Sequence, residues 1–113
     1  MACFCGGWLL GLRLPSSDPV EKELKRLHAG NLAERALAAR ALGLLRDTRA
    51  VDALIVALDD PAEATAMNAA SSLGLLGDQR AEEPLRRKLE APGQELRRAA
   101  GEALERLGTK KRR

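Results

Sequence analysis

Leucine and alanine recur along this chain at three- and four-residue spacings, broken at regular intervals by short segments carrying Asp, Pro or Gly. From Ala38 to Pro61 the order is AARALGLLRDTRAVDALIVALDDP, and from Ala69 to Pro92 it is AASSLGLLGDQRAEEPLRRKLEAP. The two stretches align without a gap, 31 residues apart, and agree at 12 of 24 positions. The shared positions include Leu42/Leu73, Leu45/Leu76, Asp47/Asp78, Arg49/Arg80, Leu54/Leu85 and Leu58/Leu89. A period of this size holding two helical patterns predicts helical hairpins stacked in tandem. The expected fold is therefore all-α, an α-α superhelix of about three hairpins.

Six helices are expected. The first covers residues 18–29, opened by Asp18-Pro19 with Glu21 three residues after the cap, and Gly30 is expected to end it in a left-handed conformation. Asn31, followed by Glu34, opens a second helix to Leu45. Asp47 caps a third through Leu58, and Asp60-Pro61 with Glu63 opens a fourth that stops at Gly77. Asp78 caps a fifth to Glu90, with Pro84 tolerated near its start. Ala91-Pro92-Gly93 precedes a sixth, which runs to Leu107.

Leu42 and Leu45, like Leu73 and Leu76, lie three apart on the first helix of each unit; Leu54/Leu58 and Leu85/Leu89 lie four apart on the second and are expected to point into the core. Each buried leucine contributes ~2 kcal/mol, but one hairpin cannot cover both of its apolar faces. Val20 and Leu27 extend the register backwards onto Val51 and Leu58, and Ala100, Ala103, Leu104 and Leu107 extend it forwards onto Ala69, Ser72, Leu73 and Leu76. In the last helix Glu105 and Arg106 replace Gly74 and Leu75, as a water-facing end of the stack requires. The first helix lacks such a polar cover. Trp8, Leu9, Leu10, Leu12 and Leu14 of the apolar segment 1–17 are candidates to shield it as a flap, the alternative being a disordered leader. That segment is short for a membrane span and has no basic stretch ahead of its apolar part, so it is a poor secretory signal. Pro15-Ser16-Ser17 marks the boundary to a repeat domain at 18–108, with a basic tail at 109–113.

The 113 residues suit one domain. Aromatic residues make up only 2%, too few to build a ring-stacking pocket, and no cofactor is expected. The net charge of +3 belongs to the tail: without Lys110, Lys111, Arg112 and Arg113 the body carries 15 basic and 16 acidic residues. A nucleic-acid reader shows a basic stripe on the body itself. Cys3 and Cys5 with the lone His28 do not supply the four ligands of a structural zinc site, and the cysteines read as reduced thiols of a cytoplasmic protein.

ALGLLRDTRAVDALIVAL and SLGLLGDQRAEEPLRRKL resemble the short HEAT-like repeats found in phycobilisome chromophore lyases and many bacterial proteins. The resemblance covers about residues 18–108 and implies a HEAT-like solenoid in which Asp47, Asp78, Arg49 and Arg80 are structural, the Asp capping and the Arg reaching a neighbouring hairpin. The second repeat keeps Gly77 after its first helix, whereas the first has Arg46 there. The His-Glu pairs of the HEAT-like deoxyhypusine hydroxylase are absent, since Ala29 follows His28. Ser71 and Ser72 lie inside a helix without a nucleophile elbow, so no catalytic set is assembled and the chain is not expected to be an enzyme.

In such stacks the second helices usually line the concave surface. By that resemblance Lys25, Asp52, Val56, Glu83 and Arg87 are the candidate partner-binding residues. Val56 stands out as apolar where its register mates are Lys25 and Arg87. Glu21–Lys25 and Glu83–Arg87 are expected as intrahelical pairs that support an exposed face. The leading reading is a non-catalytic scaffold that binds another protein. The alternatives are an accessory subunit of an enzyme such as a chromophore lyase, and a weak nucleic-acid binder whose candidate positives are Lys22, Lys25, Arg26, Arg86, Arg87 and Lys88 on the second helices, with the basic tail adding salt-sensitive affinity.

Overall fold

The computed structural model describes residues 18–108; the expected leader flap at 1–17 and the basic tail at 109–113 lie outside the described residues. Six α-helices follow in order: α1 (Pro19–Ala29), α2 (Leu32–Leu45), α3 (Val51–Ala57), α4 (Glu63–Leu76), α5 (Glu82–Arg87) and α6 (Gln94–Arg106). No strand occurs among the described residues. In the repeat register α2, α4 and α6 are first helices; α1, α3 and α5 are second helices.

Local chemistry starts these helices largely where expected. Asp18 accepts the Val20 amide at 3.0 Å. Asn31 and Glu34 form a reciprocal capping box at 2.9 and 3.1 Å. Asp47 and Asp78 each accept the amide two residues on, at 2.9 Å. Those two contacts open 3₁₀ turns, Thr48–Ala50 and Gln79–Ala81, which lead directly into α3 and α5.

Four expectations need correction. Gly30 is extended (φ −77°, ψ 169°), because Asn31 must itself adopt the extended cap conformation that opens α2. Asp60 is not the N-cap of α4: it accepts the Ala62 amide at 2.8 Å, and the helix begins at Glu63. The fifth helix does not run to Glu90, since α5 gives way to a 3₁₀ turn at Lys88–Glu90. That tighter winding swings Leu89 out of line with Leu85, so Leu85 is fully buried while Leu89 is 41% exposed. The missing glycine after α2 is met differently: Arg46 adopts the left-handed conformation (φ 54°) that Gly77 adopts (φ 69°) after α4.

The first helices form a close-packed layer, α2 on α4 and α4 on α6. Small residues let their backbones approach. A methyl group on Gly43 would overlap Ser72, and one on Gly74 would lie 2.8 Å from Ala103 Cα. Ser72 Oγ donates to the Ala39 carbonyl at 2.5 Å, and Asn68 Nδ2 to the Ala36 carbonyl at 2.9 Å, both from α4 to α2. Glu63 of α4 accepts the Leu96 amide in the first turn of α6 at 3.2 Å. Beneath this layer Leu42, Leu73 and Leu104 lie in a single buried cluster with Leu54, Leu58 and Leu85 of the second helices.

Candidate interaction surface

The second helices expose their remaining faces in rows set by the 31-residue register. Glu21, Asp52 and Glu83 make one row, Lys25, Val56 and Arg87 the next, and His28, Asp59 and Glu90 the third; all nine are exposed. Acidic groups dominate, and Val56 is an apolar island, 66% exposed.

Val56 also borders a groove. An open cavity of about 480 Å³ lies between α1 and α3, with Leu27, Ala53, Val56 and Ala57 as its apolar walls and His28, Asp59 and Pro61 at its rim. One end is closed by Arg35 of α2, which donates to Asp60 through Nε at 2.8 Å and Nη2 at 3.1 Å and to the Gly30 carbonyl at 3.3 Å. The Arg35 guanidinium holds the Asp60 carboxyl below the usual carboxylate range, against the opposing effect of burial. Asp60 is therefore ionised at neutral pH and fixed in place.

The arginines of the repeat signature lace neighbouring units together. Arg49 binds its own Asp47 at 2.9 Å and reaches Asp18 at the start of α1 at 3.1 Å. Arg80 binds Asp78 at 3.0 Å and reaches Asp52 of α3 at 3.3 Å. These bonds lower the pKa values of Asp18, Asp47 and Asp78. Lys88 pairs with Asp59. The roles expected of Asp47, Asp78, Arg49 and Arg80 are thus the ones they fill.

All five candidate residues (Lys25, Asp52, Val56, Glu83 and Arg87) fall on the exposed second-helix face. Asp52 is engaged by Arg80 and belongs partly to the scaffold. Among the described residues the intrahelical ion pairs on this side are Glu82–Arg86 at 2.8 Å and Glu23–Arg26 at 3.4 Å, in place of those expected at Glu21–Lys25 and Glu83–Arg87. From sequence Leu27 was a register mate of Leu58 and not a groove wall, and Ala53 and Ala57 were not singled out. No group of three His, Cys, Asp or Glu side chains is placed to hold a metal ion among the described residues. Among those residues no helix is long and apolar enough to cross a membrane.

The HEAT repeat family model matches residues 20–111. The chain belongs to the HEAT repeat family. A solved complex of CpcE and CpcF of phycocyanin lyase from Nostoc sp. PCC7120 contains a chain similar to this HEAT protein, at 37% identity and a TM-score of 0.74. The match covers 78% of this chain and 36% of the other, so the HEAT protein described here spans about a third of that subunit's length. No curated protein matches it by sequence.

Proposed function

We propose that this HEAT protein is a non-catalytic, cytoplasmic scaffold that binds another protein through the face formed by α1, α3 and α5. The observation that carries the reading is Val56: a branched apolar side chain, 66% exposed, at the wall of a groove whose other walls are Leu27, Ala53 and Ala57. Apolar surface of this kind, rimmed by charge, favours a partner side chain over water. Asp52 and Asp59 already pair with Arg80 and Lys88, which leaves Glu21, Glu83 and Glu90 to favour a partner segment that carries basic residues beside the apolar one that enters the groove. On this face Lys22, Lys25, Arg26, Arg86 and Arg87 are interleaved with Glu21, Asp52, Glu83, Asp59 and Glu90, so phosphate meets no basic stripe, which counts against nucleic acid.

The test is affinity purification from the native host with the full chain and with Val56→Asp, followed by a binding titration against the captured partner. A weakening of about tenfold, or ~1.4 kcal/mol, with helicity unchanged is the expected result. Equal affinity for both proteins removes Val56 and the groove from the interface.

A second reading rests on the likeness to the phycocyanin lyase complex. In it the chain is an accessory subunit and its partner a lyase component. Co-purification separates the readings, since an accessory subunit brings a catalytic partner with it.

A further inference from the structure

Among the described residues the first-helix layer is open at its upstream edge, and the residues there are the wrong ones for water. In α4 the side chains that meet the helix before it are Asn68 and Ser72. In α6 the equivalent side is Ala103, pressed against Gly74, with Arg106 Cδ 3.2 Å from the position a methyl group there would take. Moving Asn68, Ser72 and Leu75 back by one period gives Leu37, Ala41 and Leu44 of α2. Leu37 is 62% exposed and Leu44 65% exposed, with Leu45 beside them at 39%. The face with which every later first helix grips its predecessor is thus present on α2, apolar and uncovered among the described residues.

The chain carries a matching piece. Each first helix that has a successor contains Leu-Gly-Leu, at Leu42-Gly43-Leu44 and Leu73-Gly74-Leu75, and its glycine is the point of closest approach to the next helix. A third Leu-Gly-Leu occurs at Leu10-Gly11-Leu12, 32 residues before the first of these. Gly6-Gly7 then falls on Ala38-Ala39, small on small, and the connection to the next helix is one residue longer than in the repeats. The segment leads directly into α1, a second helix whose own first helix would occupy this place, and whose start is tied down by Arg49 through Asp18.

We propose that the N-terminal segment carrying Leu10-Gly11-Leu12 is the occupant of this edge and docks on Leu37, Ala41 and Leu44. A segment covalently joined to α1 has a high local concentration at this edge, which favours it over a second copy or a separate protein. The docking is independent of the proposed partner face.

Hydrogen exchange of the full chain, read by mass spectrometry with light scattering alongside, tests this. The amides of residues 9–14 are expected to exchange at least an order of magnitude more slowly than in an unstructured chain, in a monomer. Gly11→Leu is expected to abolish that protection, because its register mates Gly43 and Gly74 leave no room for a side chain against Ser72 and Ala103. Leu44→Glu is expected to do the same while the amides of α4 and α6 keep theirs. Free exchange of 9–14 in the parent protein overturns the proposal, as does protection that survives both substitutions. A dimer that Leu44→Glu dissolves overturns it in favour of a second copy at this edge.

Discussion

Arg35 holds Asp60 through two nitrogens, Nε at 2.8 Å and Nη2 at 3.1 Å, and so ties the second helix of the described array to the turn that enters the fourth. Both side chains are mostly buried, at 21% and 13% exposure. The Arg35 hydrogen bonds keep the Asp60 carboxyl below its ordinary 3.8, with the Ala62 amide adding to the effect. A lowered carboxylate pKa stabilises the fold fully above the unfolded value and loses that contribution as the pH falls through the folded value. The urea midpoint is therefore expected to be flat from neutrality to about pH 5 and to drop below about pH 4. Arg35→Gln should lower the urea midpoint at pH 7 and make the acid drop shallower.

The glycine seam gives a steric prediction. A methyl group at Gly74 would lie 2.8 Å from Ala103 Cα and 3.0 Å from Ala103 Cβ, backbone and short side chain that cannot swing away. Gly74→Ala should destabilise the protein by about 1–3 kcal/mol, despite the better helix propensity of alanine. Gly101→Ala is the control, because its nearest neighbour is Leu89 Cδ2 at 3.9 Å. Chemical denaturation of the two variants should show opposite signs.

Arg46 and Gly77 end equivalent helices in the same left-handed conformation, one with a side chain and one without. Arg46→Gly should raise stability by about 0.5–1 kcal/mol, since only glycine adopts this region without strain. Gly77→Ala should lower it. Nothing lies within 4 Å of a methyl group at Gly77, so that loss reports the backbone alone. Thermal unfolding of both variants checks the pair.

Thr65 in the first turn of α4 is fully buried, and its hydroxyl has no hydrogen-bond partner. Burying an unpaired hydroxyl costs about 1–3 kcal/mol. Thr65→Val keeps the branched shape and removes the polar atom. It should raise the unfolding midpoint, whereas Thr65→Ala should lower it by opening a void.

Much of this architecture was legible in the chain. The register placed Leu42, Leu73 and Leu104 in one cluster, and the Asp and Arg of the repeat signature fill structural roles because cap and bridge depend on local spacing. The errors have local causes as well. Gly30 was read as a left-handed terminus on residue type, but the capping box beginning at Asn31 sets its conformation. Leu89 was read as core by its four-residue spacing from Leu85, a rule that fails once the backbone winds at three residues per turn. For the candidate surface, sequence could single out Val56 as the odd member of its row. It could not show the groove, because Leu27, Ala53 and Ala57 come together only when α1 and α3 are set side by side.

The close approach of neighbouring helices at Gly43 and Gly74 holds the first-helix layer tightly together, whereas the second helices are shorter and α1 and α3 meet across an open groove. The packing is thus that of a fan, tight along one spine and open along the other edge. Whatever wedges between α1 and α3 sets the opening angle of the blades, and so the pitch of the whole coil.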